Sequence, residues 1–505
     1  MFISTLTRRK VHCHMNLKNK SVVFSYIEKG ALILILYKMI TLIIGGGEQF
    51  YSTHIDRFVW EGIIYLGIAI LIVFKVNLKN FLIYIPTAIY LIVFYILLLR
   101  TGYKVNSPDL WMMDLRKGLA VATLIPLVVD AICKKRFCRF KELDLAKIIL
   151  FALIYIGVAV VPGGINGYLL FCFVITYMII SFDKDRIEIF IVCLAVANVL
   201  AATVLSVKSL ITHPYAGELR YYGAFTNLHG FGMFVGSGIA CCLFLYIWGH
   251  LHFEKKWIHI SMLTPITLFL LVVFYLINSR NALLGVIVAI IVTGWLFSVA
   301  IKKSKLFAGT ICGVVIVALI VGGICLFFGL NYEKYEKSLR KIPQLHYMVQ
   351  YAKLNEPIKS ETGVFEDNTL LCRIDEFTNS RLSVWKVTVE QLKLFEGNST
   401  NIVVNDEWTT NTHNTYLGYL NGWGIIVGGL FIVALIYVLV QSVRQIKANR
   451  DSLKTNGTFA IFAVLWFAYS FTIFMNEMLY PTALYVIICL LLLGLLPRIN
   501  PKTDK

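Results

Sequence analysis

At 505 residues, with 58% hydrophobic and only 15% charged side chains and a mean hydropathy of +0.74, the chain is too apolar for a water-soluble globular protein and reads as a polytopic membrane protein. Its 47 Lys and Arg outnumber its 29 Asp and Glu, for a formal net charge of +18. That surplus is spread over the loops between apolar runs, which excludes a nucleic-acid-binding face and reports membrane orientation instead.

In chain order, the first 20 residues are basic and lack an apolar core followed by a small-residue cleavage site, so no secretory signal is expected. Met15 offers an alternative start, and residues 31–44 read as an uncleaved first anchor. Further apolar runs follow at 58–74, 81–99, 118–132, 148–161, 168–182, 187–207, 228–248, 258–277, 282–301 and 306–330. After a polar interruption come 416–440, 459–475 and 482–496. In hydrocarbon every backbone amide must be satisfied inside its own segment, so these runs are expected to be helices. The fold class is therefore an all-α polytopic membrane protein of about 14 transmembrane helices, a few of them short.

Placing both termini in the cytoplasm gathers the basic loops on that side, where they also meet anionic lipid head groups: Arg8, Arg9 and Lys10; Lys134, Lys135 and Arg136; Lys255 and Lys256; Lys302, Lys303 and Lys305; Arg444, Lys447 and Arg450; Arg498, Lys502 and Lys505. The chain then divides into a membrane domain (1–330), an extracytoplasmic loop containing short helices (331–412) and a second membrane portion with the last three spans (413–505). Ordinary connections between elements take about 2–8 residues, so a loop this long is expected to carry function. Of the 11 cysteines only Cys372 falls in it, so the loop must fold without a disulfide of its own; the cysteines in the spans read as small apolar packing. The acidic pairs Glu366-Asp367, Asp375-Glu376 and Asp406-Glu407 read as solubilising residues rather than as ligands of a metal.

Three passages on the outer face carry chemistry. Arg220-Tyr221-Tyr222-Gly223 precedes the 228–248 run, with Gly223 supplying a turn that brings backbone N–H groups to a helix start; a guanidinium that snorkels, with Tyr221 and Tyr222 as an interfacial aromatic belt, is the plainer alternative. Asn278-Ser279-Arg280-Asn281 joins two spans so tightly that Arg280 has almost no slack. A guanidinium fixed beside hydrocarbon is costly unless it faces an anion or a cavity, and its planar fork suits a diphosphate. In the third passage a helix is expected from Arg381 past Trp385 and Glu390 to Leu394. It is followed by a turn at Glu396-Gly397-Asn398 and by His413-Asn414-Thr415-Tyr416 at the mouth of the next span. His413 has the chemistry of a general base, and Asn414 that of a residue orienting it or a sugar hydroxyl.

Taken together, Arg220-x-x-Gly223-x-x-x-Asn227, Ser279-Arg280-Asn281-Ala282, Arg381-x-x-x-Trp385 and His413-Asn414-x-Tyr416, with Gly422 and Gly424 after it, resemble the O-antigen ligase and O-antigen (Wzy-type) polymerase superfamily in order and sidedness. Asn281 stands where that superfamily usually has Gly. The resemblance implies a metal-independent, inverting glycosyl transfer without cofactor, from undecaprenyl diphosphate to an acceptor hydroxyl at the outer face of the bacterial cytoplasmic membrane. His413 and Arg280 would then be catalytic, and Arg220, Asn227, Arg381, Asn414 and Tyr416 would bind substrate. The partners implied are a lipid-linked oligosaccharide, an acceptor glycan, membrane lipids and other polysaccharide-assembly proteins, with no nucleic acid. A Lys-, Ile- and Asn-rich chain without a recognisable acceptor-binding module favours a surface (O-antigen, capsular or exo-) polysaccharide polymerase; ligase-type transfer to lipid A core, protein or wall glycan is the alternative. From another class, a polysaccharide or lipid-linked sugar flippase would draw on Lys38, Glu61, Asp130, Glu188 and Lys208, but no inverted repeat is visible and the one-sided loop has no role in transport.

Overall fold

The structure, a computed structural model, describes residues 25–42, 55–76, 81–100, 108–134, 184–217, 220–225, 228–349, 359–360, 362–377, 380–395, 402–405, 408–410 and 414–473. The apolar runs at 148–161, 168–182 and 482–496 lie outside these residues. The described residues of the remaining runs fall largely on helices: α1 (25–42), α2 (Ile55–Val73), α3 (Ile85–Arg100), α4 (Pro108–Cys133), α5 (Lys184–Thr212), α6 (Leu228–His252), α7 (Lys256–Ile277), α8 (Arg280–Ile301) and α9 (Ser304–Leu330). The polar segment forms α10 (Tyr332–Leu339), α11 (Pro343–Val349), α12 (Leu370–Phe377), α13 (Arg381–Glu390) and a hairpin, and the chain continues as α14 (Thr415–Ala448), α15 (Leu453–Asn456) and α16 (Thr458–Ile473). Seven of the described helices are long and apolar enough to cross a membrane: Leu82–Arg100, Arg186–Thr212, Gly230–His252, Lys256–Ile277, Ala282–Ile301, Lys305–Leu330 and Gly424–Ala448.

The hairpin was not expected from the sequence. Strand β1 (Ile402–Asn405) pairs antiparallel with β2 (Trp408–Thr410), Ile402 opposite Thr410 and Val403 opposite Thr409. The β-branched residues Ile402, Val403, Thr409 and Thr410 supply the local reason.

At the centre stands α6, buried along most of its length between α5, α7, α8 and α16. Small residues let its neighbours approach. At Gly236 a Cβ would fall 2.3 Å from Tyr469 Oη; without one, the Tyr469 hydroxyl reaches α6 and donates to Met233 O at 2.5 Å. Across α5 and α6, Asn198 Nδ2 donates to Ser237 Oγ (3.0 Å) and Cys241 Sγ (3.2 Å). By contrast α9 turns its apolar residues outward along its whole length, as a lipid-facing helix does.

One end of the bundle is held by polar locks. There Glu188 accepts from Trp248 Nε1 (3.2 Å) and Thr458 Oγ1 (3.0 Å) and pairs with His252 Nε2 (3.2 Å), joining the starts of α5 and α16 to the end of α6. At the same end Lys302, after α8, reaches Asp451, after α14, at 2.5 Å. Helices α6 and α8 run between the two ends, and so does the part of α14 after Gly424; their other ends, Leu228, Arg280 and Gly424, therefore share the opposite end. Replacing Glu188 by Gln removes the charge that strengthens three contacts, and a loss of about 2 kcal/mol is expected. A lowered thermal midpoint of the purified protein in detergent is the readout; an unchanged midpoint would leave the lock without energetic weight.

Candidate functional site

Between α7 and α8 the chain reverses in two residues. Asn278 takes the left-handed conformation (φ 55°, ψ 47°) that Asn tolerates better than most residues, and its N–H donates to Phe274 O (3.2 Å), closing α7. Ser279 is extended (φ −91°, ψ 108°) at the N-cap of α8, yet its side chain makes no cap hydrogen bond. Its hydroxyl is buried without a hydrogen-bond partner among the described residues, and so is the Asn278 side-chain amide nitrogen. Leaving a buried polar group unsatisfied costs about 1–3 kcal/mol, so two of them in adjacent residues mark a place made for something polar. Arg280 is half-buried as the first residue of α8, where the helix N-terminus and a guanidinium together favour an anion.

The Arg220 passage is fastened to the same turn. Tyr221 N–H donates to Leu276 O (3.0 Å), near the end of α7. Gly223 adopts φ +58°, and a Cβ there would lie 2.8 Å from Ser209 Cβ. This close approach lets Ala224 N–H donate to Ser209 Oγ (3.1 Å) at the end of α5. Phe225 stacks on Phe231 of α6 with ring centroids 4.3 Å apart. Tyr221 is 1% exposed and donates its hydroxyl to His213 O at 2.7 Å, whereas Tyr222 is 46% exposed. The belt reading thus fails for Tyr221, which is a buried post, because its ring fits between Tyr215 and Phe231. Arg220, half-buried, is carried into this junction by the chain on either side of the post. Asn227 lies outside the described residues.

Helix α6 meets the turn at Gly232, where a Cβ would fall 2.6 Å from Ser279 Cβ. Gly232→Ala therefore displaces the Ser279–Arg280 backbone. The expected result is a larger fractional loss of the protein's biological activity than of its thermal stability; equal losses, or none, would disconnect this contact from function.

At the start of α14, Asn414 is the N-cap: its side-chain oxygen accepts from Tyr416 N–H (3.0 Å) and Leu417 N–H (3.2 Å). Asn414 is buried and Tyr416 packs half-buried on the core. His413 precedes the cap in the chain and lies outside the described residues. Nine residues into α14 the helix breaks at Gly424 (φ 79°, ψ 160°), a geometry that glycine alone adopts readily. The freed N–H groups of Ile425 and Ile426 donate to Lys393 O (2.9 Å) and Leu394 O (3.2 Å), so the polar segment is stitched to the helix at the break.

That segment has its own small core. Helix α13 ends at Glu390, short of the expected Leu394, because residues 393–394 turn away to meet α14. Ser380, at its N-cap, is left-handed (φ 60°) and makes no side-chain cap. Asp375 from α12 supplies the cap instead, accepting from Ser383 N–H (2.8 Å) and from Ser383 Oγ (2.5 Å), while Thr362 Oγ1 lies 2.7 Å from the same hydroxyl. Asp367 accepts from Ser360 N–H (2.8 Å). Two of the acidic pairs thus contribute a carboxylate to local structure; Asp406 and Glu407 lie outside the described residues. Cys372 is buried, and this burial, with Asp367 and Asp375 nearby, pushes its thiol above the ordinary range. Arg381 opens α13, and the indole N–H of Trp385, one turn on, is buried without a hydrogen-bond partner among the described residues.

The backbone of the Arg220 passage is thus tied to the end of α7, just ahead of the Arg280 turn, while Asn414 and Tyr416 belong to the part of α14 before the Gly424 break. The side chains of Asn278 and Ser279 and the break at Gly424 were not assigned roles from the sequence. The close pair Gly422 and Gly424 was the available signal for the break. The chain matches no protein-family model, no curated protein and no solved structure.

Proposed function

We propose that the chain is a membrane glycosyltransferase that passes a glycan from undecaprenyl diphosphate to an acceptor hydroxyl at the outer face of the bacterial cytoplasmic membrane, working as a surface-polysaccharide polymerase. The proposal includes about 14 spans, cytoplasmic termini and an extracytoplasmic segment 331–412. The observation that carries it is the 278–280 turn: a buried amide and a buried hydroxyl without partners among the described residues adjoin a half-buried guanidinium at a helix N-terminus. An anion with several oxygens, held at membrane depth, fits that set of donors, and the diphosphate of a lipid-linked donor is such an anion. Arg220 adds a second cation at the junction.

In the proposed reaction the acceptor oxygen attacks the anomeric carbon opposite the diphosphate as the bond to the leaving oxygen breaks. The hydroxyl proton passes to His413, and Arg280 and Arg220 stabilise the charge that collects on the diphosphate. Arg381, Asn227, Asn414 and Tyr416 are assigned to substrate binding, with the Asn414 oxygen also holding its helix. Single displacement inverts the anomeric centre. The flippase alternative gains no support, since three of the acids it calls on are engaged: Glu61 with Arg116 (2.7 Å), Asp130 with Lys134, and Glu188 in the end lock.

The test is reconstitution with undecaprenyl-diphosphate-linked repeat units and gel analysis of the products, with and without EDTA. A ladder of inverted linkage that EDTA leaves intact is expected. Transfer only to a separately added acceptor would make the protein a ligase, and no transfer to any acceptor would overturn the assignment.

A further inference from the structure

The polar segment meets α14 on a surface that is apolar and open. Lys393 O and Leu394 O accept from Ile425 N–H (2.9 Å) and Ile426 N–H (3.2 Å), directly after the Gly424 break, where the part of α14 long and apolar enough to cross a membrane begins. Large apolar side chains stand exposed on both sides of this stitch: Leu394 (59%) and Phe395 (77%) on one, Ile425 (37%) and Ile426 (41%) on the other. We propose that Leu394 and Phe395 insert into the leaflet at this end of α14, in contact with phospholipid acyl chains, so that the segment is fastened to the bilayer within its own length as well as at its two ends.

Three observations commit this surface to lipid. First, its depth is fixed by backbone. Two consecutive carbonyls hold two consecutive amides, so residues 394–395 cannot slide along α14 and stay level with the first turn of the span. Second, the pair extends a surface that already belongs to the membrane. Along α14 the exposed side chains Ile425, Ile426, Val433, Ile436 and Val440 fall within one face at about 100° per residue, while Leu435, Val438 and Ser442, on the other face, are buried. Leu394 and Phe395 join that lipid-facing stripe at its head. A water-soluble partner could cover the pair but not the stripe that runs on from it into hydrocarbon. Third, the residue before the pair is Lys393, also exposed. A lysine beside two large apolar residues suits a membrane interface, where its stem lies along hydrocarbon and its ammonium stays among head groups; the cores of protein interfaces are poor in lysine. Left in water, the same surface would be an aggregation liability. This inference does not rest on the glycosyl-transfer reading.

Full-length protein in proteoliposomes, carrying the photo-cross-linking residue p-benzoylphenylalanine at position 394 or 395, tests it by the mass of the adduct formed on irradiation. A phospholipid adduct is expected at both positions and none at position 376, where the exposed Glu376 lies on α12. Cross-linked dimers instead would assign the surface to a second copy, and an absence of adducts would leave it in water. Either result overturns the proposal, as would lipid adducts equally abundant at position 376. Because the probe is itself apolar, the native side chains are read separately by amide hydrogen exchange in the same proteoliposomes. Leu394→Asn with Phe395→Asn should speed exchange in peptides covering residues 380–395, while the thermal midpoint in detergent stays at the wild-type value because both side chains are exposed. Unchanged exchange, or a midpoint that falls with it, would overturn the insertion.

Discussion

Arg280→Ala is expected to remove polysaccharide product altogether while the protein inserts and melts as before. Groups that stabilise charge developing in a transition state are each worth about 10²–10³ in rate, and in the proposed reaction Arg280 meets the charge that collects on the diphosphate. Its loss should not weaken α8, because a cation in the first turn opposes the helix dipole and its removal relieves a few tenths of a kcal/mol if anything. Separation of activity from stability is therefore the signature. Arg280→Lys keeps the charge but replaces a planar fork by a point donor, so partial activity with weakened donor binding is expected. A wild-type ladder from Arg280→Ala would leave the 278–280 turn as a packing device only.

His413→Ala should cost about 10²–10⁴ in rate, the usual worth of a positioned general base, and should leave the apparent affinity for the lipid-linked donor near wild type. The two substitutions thus differ: one loses donor handling, the other only the activation of the acceptor. The pH profile gives an independent reading. A base works deprotonated, so wild-type activity should fall as the medium is acidified and the imidazole takes up a proton, and this fall should vanish from the residual activity of His413→Ala. A wild-type acid limb that survives in the variant would assign the proton to another group.

The membrane helices were legible because hydrocarbon leaves the backbone no other choice, and the Arg280 turn because two spans with nothing between them can only reverse there. The two readings of Tyr221 stayed open because a tyrosine at the interface and a tyrosine under it have the same neighbours in sequence; its burial, its packing between Tyr215 and Phe231 and its hydrogen bond to His213 O separate them. Asp375 looked like half of a solvated acidic pair, although it caps a helix that begins six residues later. The Gly424 break could not be read locally, because the carbonyls that satisfy Ile425 and Ile426 come from Lys393 and Leu394, some 30 residues earlier. Non-local compensation of this kind leaves no periodicity behind.

That break gives the molecule a lever. Residues 415–423 form a short arm that carries the Asn414 cap at its tip, and residues 425–448 form the long one. The pivot is held by two backbone bonds from the polar segment, and the short arm lies so close on the long one that a Cβ at Gly428 would fall 2.5 Å from Tyr419 O, so segment and helix together fix its direction.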